Sequence, residues 1–221
     1  MKNYDIDTFQ ATMQEDINWR KEQLTYIKQN TVIGSISEPR LEVIIRYSPV
    51  LIYALFEGFV TKITTEFINT INREPSKSSE YTDRVINHEL EMQYHYHELS
   101  TKVDIRVQSA HDIKEFFYKQ TVQLSQKVET ASNVNLKVLN SILKIYGIEV
   151  IDEREPLLGD AKFGGFLHKL LRFRNSIAHG EVTVQVTVED VNFFANNVEY
   201  IFDFLEARYL QSLMNTTFLA I

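Results

Sequence analysis

The chain has 221 residues, 44% of them hydrophobic, with 14 Phe and 11 Tyr but only seven Gly and four Pro. This is apolar mass enough for one domain of ordinary size and too little turn chemistry for a many-stranded β fold, so long elements with few connections, favouring helices, are expected. Zero Cys excludes disulfides, thiolate nucleophiles and cysteine-held zinc, and a net charge of −7 argues against a surface that coats nucleic acid at large.

The first ten residues, MKNYDIDTFQ, contain no apolar leader segment. Residues 5–30 carry Phe9, Met13, Ile17, Leu24 and Ile27 at helical spacing, which predicts a first amphipathic helix ended near Gly34. Ser37 can cap a second helix with Glu38 and Pro39 in its first turn, running to about Asn72 with a kink near Pro49. Inside it the longest apolar run, Val50 to Val60, is interrupted by Glu57 and is too short to cross a bilayer. A soluble cytoplasmic protein with no membrane partner is expected.

Residues 73–101 are the most polar stretch and read as a loop followed by a weakly specified arm inserted in a single domain spanning 1–221. A helix is predicted from about Asp104 to Thr130, and another from Asn135 to Tyr146 closed by Gly147. A charged loop, Glu149 to Asp160, leads to a helix from about Phe163 that Gly180 ends. Val182 to Val188 alternates apolar and polar, as a short strand or an extended crossover would. Thr187 and Asp190 form a capping-box pattern at the head of a last helix reaching about Asn215.

Chemistry concentrates in LLRFRNSIAHGE, residues 170–181. Arg followed five residues later by His occurs twice, as Arg106/His111 and Arg174/His179, so the spacing alone does not single out a site. Their surroundings differ. The first pair lies among Asp104, Asp112 and Glu115. The second, with Asn175 between its members, is embedded in Leu170, Leu171, Phe173, Ile177 and Ala178, where polar groups need partners. From Ala161 to Gly180 there are Lys162, Lys169, Arg172 and Arg174 and no acid, a local excess suited to a phosphate. Lys169 and Arg172 are the candidate substrate-binding cations.

Asn175 and His179 are four apart and share a helix face, so the amide is expected to orient the imidazole. Arg174 and His179 differ by about 140° around a straight helix axis. They converge on one atom only if the last turn unwinds or a second copy of the helix completes the site, which predicts a homodimer. A histidine suits proton transfer, and a guanidinium suits a phosphate whose charge grows in the transition state.

RNSIAHGE on a late helix, preceded by NLKVLNSILKIYGIEV and followed by a long last helix, resembles the HEPN superfamily (higher eukaryotes and prokaryotes nucleotide-binding), particularly its predicted bacterial ribonuclease branches. The run RYSPVLIYALFEGFVTKITTEFINTI is similar to their long helix with an embedded acid, and the likeness extends from about Arg40 onwards. The resemblance implies an all-α bundle that dimerises, joins the Arg and His of both copies, and cuts RNA without metal or cofactor. It also implies use as a toxin or phage-defence effector, with a neutralising antitoxin or defence-system partner. Arg174 and His179 match the signature pair, Asn175 the polar residue after the Arg, and Glu57 the supporting acid. Some relatives carry, two positions after the His, a Tyr that a partner nucleotidyltransferase modifies; here Glu181 stands there, so that mode of neutralisation is not implied.

The alternative is a non-catalytic HEPN-like module that binds nucleotide, RNA or protein, its polar trio serving dimer packing. His88, His95, His97 and His111 invite a metal reading, but a solvated polar stretch accounts for them and no metal is expected.

Overall fold

Asp5 starts the first helix by accepting the Thr8 amide on its carboxylate at 3.1 Å, and α1 (Ile6–Asn30) buries Phe9, Met13, Ile17 and Leu24 along one stripe. The structure, a computed structural model, describes residues 2, 4–32, 37–94, 102–128 and 133–220; Gly34, the expected stop of α1, lies outside them. From Ser37, α2 (Glu38–Arg73) runs without interruption through Pro49, and the Ser48 hydroxyl bonds the Ile44 carbonyl at 2.7 Å just before the proline. By length and composition α2 could cross a membrane, with an 18-residue window of mean hydropathy 1.5, of which 39% is buried. Here it is the central helix of the bundle, packed on α1, α6 (Phe163–Ala178) and α7 (Val188–Asn215).

Ion pairs set the register. Asp5 meets Arg73 at 3.5 Å and the Arg20 guanidinium donates to the Leu55 carbonyl at 2.7 Å, so α1 and α2 are antiparallel. On the other side of α1, Lys21 meets Asp203 at 2.7 Å and Lys28 meets Glu199 at 2.8 Å, so α1 and α7 are antiparallel too. Between the helices lies an aromatic core. Phe67 of α2 contacts Tyr146, Tyr209 and Phe218 edge-on at 5.2 to 5.6 Å, and Phe59 meets Phe202 at 4.6 Å.

The polar stretch after α2 is more than an arm. It forms a 3-10 turn at Ser78–Glu80 and α3 (Asp83–Tyr94), and it buries Tyr81, Val85 and Glu89 against the body. The helix expected over 104–130 is shorter: α4 (Val103–Tyr118) ends, and residues 119–128 are non-helical, with a bend at 120–121 and a bridge at Val122. Tertiary pairing overrides helical spacing there. Val122 bridges Ser76 in antiparallel fashion, and the Asn72 side chain makes both backbone bonds of Leu124, at 2.7 and 2.8 Å. α5 (Leu136–Ile145) has Asn135 as its cap and Gly147 at φ +66° beyond its end, as its sequence predicts. Residues 182–187 form a turn and an extended crossover rather than a strand, and Thr187 with Asp190 makes the capping box of α7.

Candidate functional site

The end of α6 follows from Gly180. Its φ of +78° lets the Glu181 amide reach the Ser176 carbonyl at 2.9 Å and the Gly180 amide reach Ile177 at 3.0 Å, a Schellman closure. Helical geometry therefore persists through Ala178, with His179 as the C-cap; the last turn does not unwind to swing His179 towards Arg174. Two carbonyls beyond the cap, those of Glu181 and Val184, accept from Arg46 of α2, which ties the crossover down.

Arg174 turns inward. Its guanidinium carbon lies 5.2 Å from the centroid of the Tyr53 ring on α2, and its Nη1 donates to Asn133 Oδ1 at 3.2 Å and Asn175 Oδ1 at 2.8 Å. Asn175, expected to orient the imidazole, thus places its side-chain oxygen on the arginine, since that oxygen lies next to a full cation. The Tyr53 hydroxyl in turn accepts the buried Val134 amide at 2.6 Å, which holds Asn133 beside Arg174. Glu57, one turn along α2 from Tyr53, lies close enough to act on its phenol: burial first, then the Glu57 charge, push Tyr53 up to about 12, with Val134 and Arg174 opposing. Glu57 and Arg174 therefore act on one phenol in opposite senses.

His179 is exposed. It lies on the outward stripe of α6 with His168, Arg172 and Asn175, and these line an open depression of about 290 Å³ with Ser176, closed off by Glu181. His168 was not among the expected site residues, yet it has the spacing to be found: 168, 172, 175 and 179 follow the helix period. Tyr53 carried a weaker signal, four residues before Glu57. Asn133 and Arg46 carried none, because distance in the chain hides them.

The two expected substrate cations part company. Arg172 is exposed on the stripe, whereas Lys169 turns to α7, meeting Asp190 at 2.8 Å and lying 5.0 to 5.5 Å from the rings of Phe173, Phe193 and Phe194. Arg106 and His111 of the rival pair are both exposed on α4, far in sequence from any of these groups. His95 and His97 lie outside the described residues, and among those described no group of three or more His, Cys, Asp or Glu could hold a metal ion.

Within one chain, then, Asn175 links an inward arginine to an outward histidine. The arrangement offers an exposed imidazole beside a cation on an uncovered helix face, with a second cation recessed at its edge. Comparison with curated proteins and with solved structures returns no match. A family model described as RiboL-PSP-HEPN, by contrast, matches residues 15–209, a span that holds Glu57 and the whole of α6. With that match over most of its length and its helical architecture, the chain belongs to the RiboL-PSP-HEPN family of the HEPN superfamily.

Proposed function

We propose that this protein is a metal-independent endoribonuclease whose site is completed by a second copy across the outward stripe of α6, acting as a toxin or phage-defence effector. HEPN membership points to a module that works on nucleotide or RNA; the finer reading rests on one observation. The face of α6 that carries His168, Arg172, Asn175 and His179 is left largely exposed, with Arg174 recessed beside it.

In a two-fold pair each copy brings the exposed imidazole of His179 and the recessed guanidinium of Arg174. One imidazole takes the proton of a ribose 2′-hydroxyl, and that oxygen attacks the phosphorus. The other gives its proton to the departing 5′-oxygen, so that a 2′,3′-cyclic phosphate and a 5′-hydroxyl result. Arg174 and Arg172 balance the charge gathering on the phosphate oxygens. Glu57, whose charge acts on the same Tyr53 phenol as Arg174, supports the setting of Arg174.

The test is cleavage of RNA by purified protein in the presence of a chelator. Parent protein is expected to release fragments with cyclic-phosphate ends, and His179→Ala, which removes both proton-transfer groups of the pair, to lose at least about a hundredfold in rate, the low end for even one positioned acid or base. Because His179 is exposed, that variant keeps the parent's melting temperature. No cleavage by the parent, or equal rates for the two proteins, overturns the proposal.

A second reading is favoured by the inward turn of Arg174 onto Tyr53 and Asn133, which is a packing role as it stands. On that reading the protein is a binding module with no nuclease. Loss of the dimer in Arg174→Ala, with no RNA cleavage by the parent, selects it.

A further inference from the structure

The outer face of the α1–α2 pair exposes several large apolar side chains. Trp19 and Tyr26 on α1 are 50% and 48% exposed, and Tyr47 and Leu51 on α2 are 47% and 54% exposed. The antiparallel register set by Asp5–Arg73 and Arg20–Leu55 brings Tyr26 level with Leu51, and Ala54 lies exposed one turn further along α2. These side chains therefore form one apolar patch. It accounts for part of what makes α2 so apolar: the most hydrophobic window of that helix is only 39% buried.

Charge along the α1 half of the patch has one sign. Positions 15, 19, 22 and 26 follow the helix period, so Glu15, Trp19, Glu22 and Tyr26 form one ridge in which acid and aromatic alternate, and the Tyr26 hydroxyl donates to Glu22 at 2.7 Å. Both glutamates are exposed, while Gln23 beside them is neutral. Each cation of α1 is engaged elsewhere: Arg20 folds beneath Trp19 onto Asp16 and Leu55, and Lys21 and Lys28 turn to Asp203 and Glu199 on α7. On α2 the exposed Arg40 stands about two turns before Tyr47, at the end of the patch far from Glu15. An aromatic ridge set with carboxylates repels anionic lipid and RNA. It also disfavours its own copy about an axis through Trp19, which would set acid against acid.

We infer that this face docks a cationic amphipathic segment of a partner protein, whose apolar side chains cover Trp19, Tyr26 and Leu51 while its Lys and Arg reach Glu15 and Glu22. Exposed aromatics ringed by polar groups are the usual anchors of such grips. Trp19 and Tyr26 lie on the flank of α2 away from α6, since α1 bonds Leu55 and α6 stacks on Tyr53, on opposite sides of α2. Docking there leaves the α6 stripe open, so this inference stands or falls separately from the ribonuclease reading.

Trp19 is the only tryptophan in the chain, so its emission reports the face directly. The full-length protein is titrated with a tryptophan-free helical peptide of Leu and Lys in amphipathic order, with the same peptide carrying Glu for Lys, and with phosphatidylglycerol vesicles. A saturable blue shift with the Lys peptide alone is expected, weakened by salt. The double change Glu15→Gln and Glu22→Gln is expected to weaken it about fivefold, from two exposed pairs of ordinary strength. Leu51→Lys, which leaves the core untouched, is expected to abolish it with helical circular dichroism intact. Neutralising two exposed acids elsewhere, by Asp104→Asn and Glu153→Gln, is expected to leave it unchanged. Equal binding by the Glu peptide or by the Glu15/Glu22 double variant overturns the inference. So does a blue shift produced by vesicles, or by raising protein concentration until the mass doubles, either of which names a different occupant.

Discussion

At Gly180 the backbone takes φ +78° with no neighbouring atom within 4 Å of where a Cβ would stand, so a side chain there meets strain but no clash. Gly180→Ala should therefore cost about 1 kcal/mol from the left-handed conformation alone, and lower the melting temperature by about 3 °C. A drop several times larger in calorimetry would show that the closure after His179 holds more than the helix end. Tyr53 carries the opposite kind of dependence. Its hydroxyl is the acceptor for the buried Val134 amide, so Tyr53→Phe leaves a donor without a partner at a cost of about 1 to 3 kcal/mol. It also loosens Asn133, one of the two groups on Arg174. The variant is expected to unfold at lower urea concentration and to cleave RNA more slowly than its stability loss explains; an unchanged rate in the folded variant would separate Arg174 from this ring.

Among the elements, α3 is anchored by a buried acid. Glu89 accepts from the Ser125 amide at 2.9 Å and from Gln93 at 3.1 Å through one oxygen, while its other oxygen is buried without a hydrogen bond. Burial pushes its carboxyl up, with those two donors opposing. The folded chain thus holds the proton to higher pH than the unfolded chain does. The stability linked to it is full below the ordinary carboxylate range and is lost as pH rises through the raised value. Glu89→Gln keeps an acceptor for Ser125 without the charge, so it is expected to be more stable than the parent at pH 8 and closest to it near pH 4. Urea midpoints at the two pH values check this, and a variant weaker than the parent at pH 8 would mean that the ionised form is stabilised in place. The same contact explains the shortened α4: Leu124 and Ser125 are bonded in a non-helical run, so a helix there would break the bonds to Asn72 and Glu89.

For the molecule as a whole, Phe67 joins α2 to α7, to Tyr146 beyond α5 and to Phe218 in the C-terminal tail. It is fully buried, and Phe67→Ala is expected to cost about 4 kcal/mol, the middle of the range for emptying an aromatic core position. Since one ring joins α2, α7, the end of α5 and the C-terminal tail, the loss should appear as a single cooperative transition moved to lower denaturant, not as the melting of one helix. Two separate transitions would show that the stretch around α3 to α5 folds apart from the long helices.

The helices with strong periodicity were determined by the sequence itself: Thr187 makes the expected capping box of α7, Ser37 precedes α2 without making a side-chain cap bond, and Gly147 and Gly180 lie just past the ends of two helices. So was the trio at Arg174, Asn175 and His179, because polar residues amid Leu170, Phe173 and Ile177 stand out against a core-forming helix. Tertiary structure decided what those groups touch. That Arg174 would turn to Tyr53 and Asn133, that Lys169 would turn away to Asp190, and that residues 119–128 would be non-helical all depend on partners far along the chain, and short-range spacing holds no record of them. The aromatic face on α1 and α2 divides the same way: the ridge is in the sequence, but only the antiparallel pairing joins its halves, and only the packing of α1 on α2 and α7 draws the α1 cations away from it.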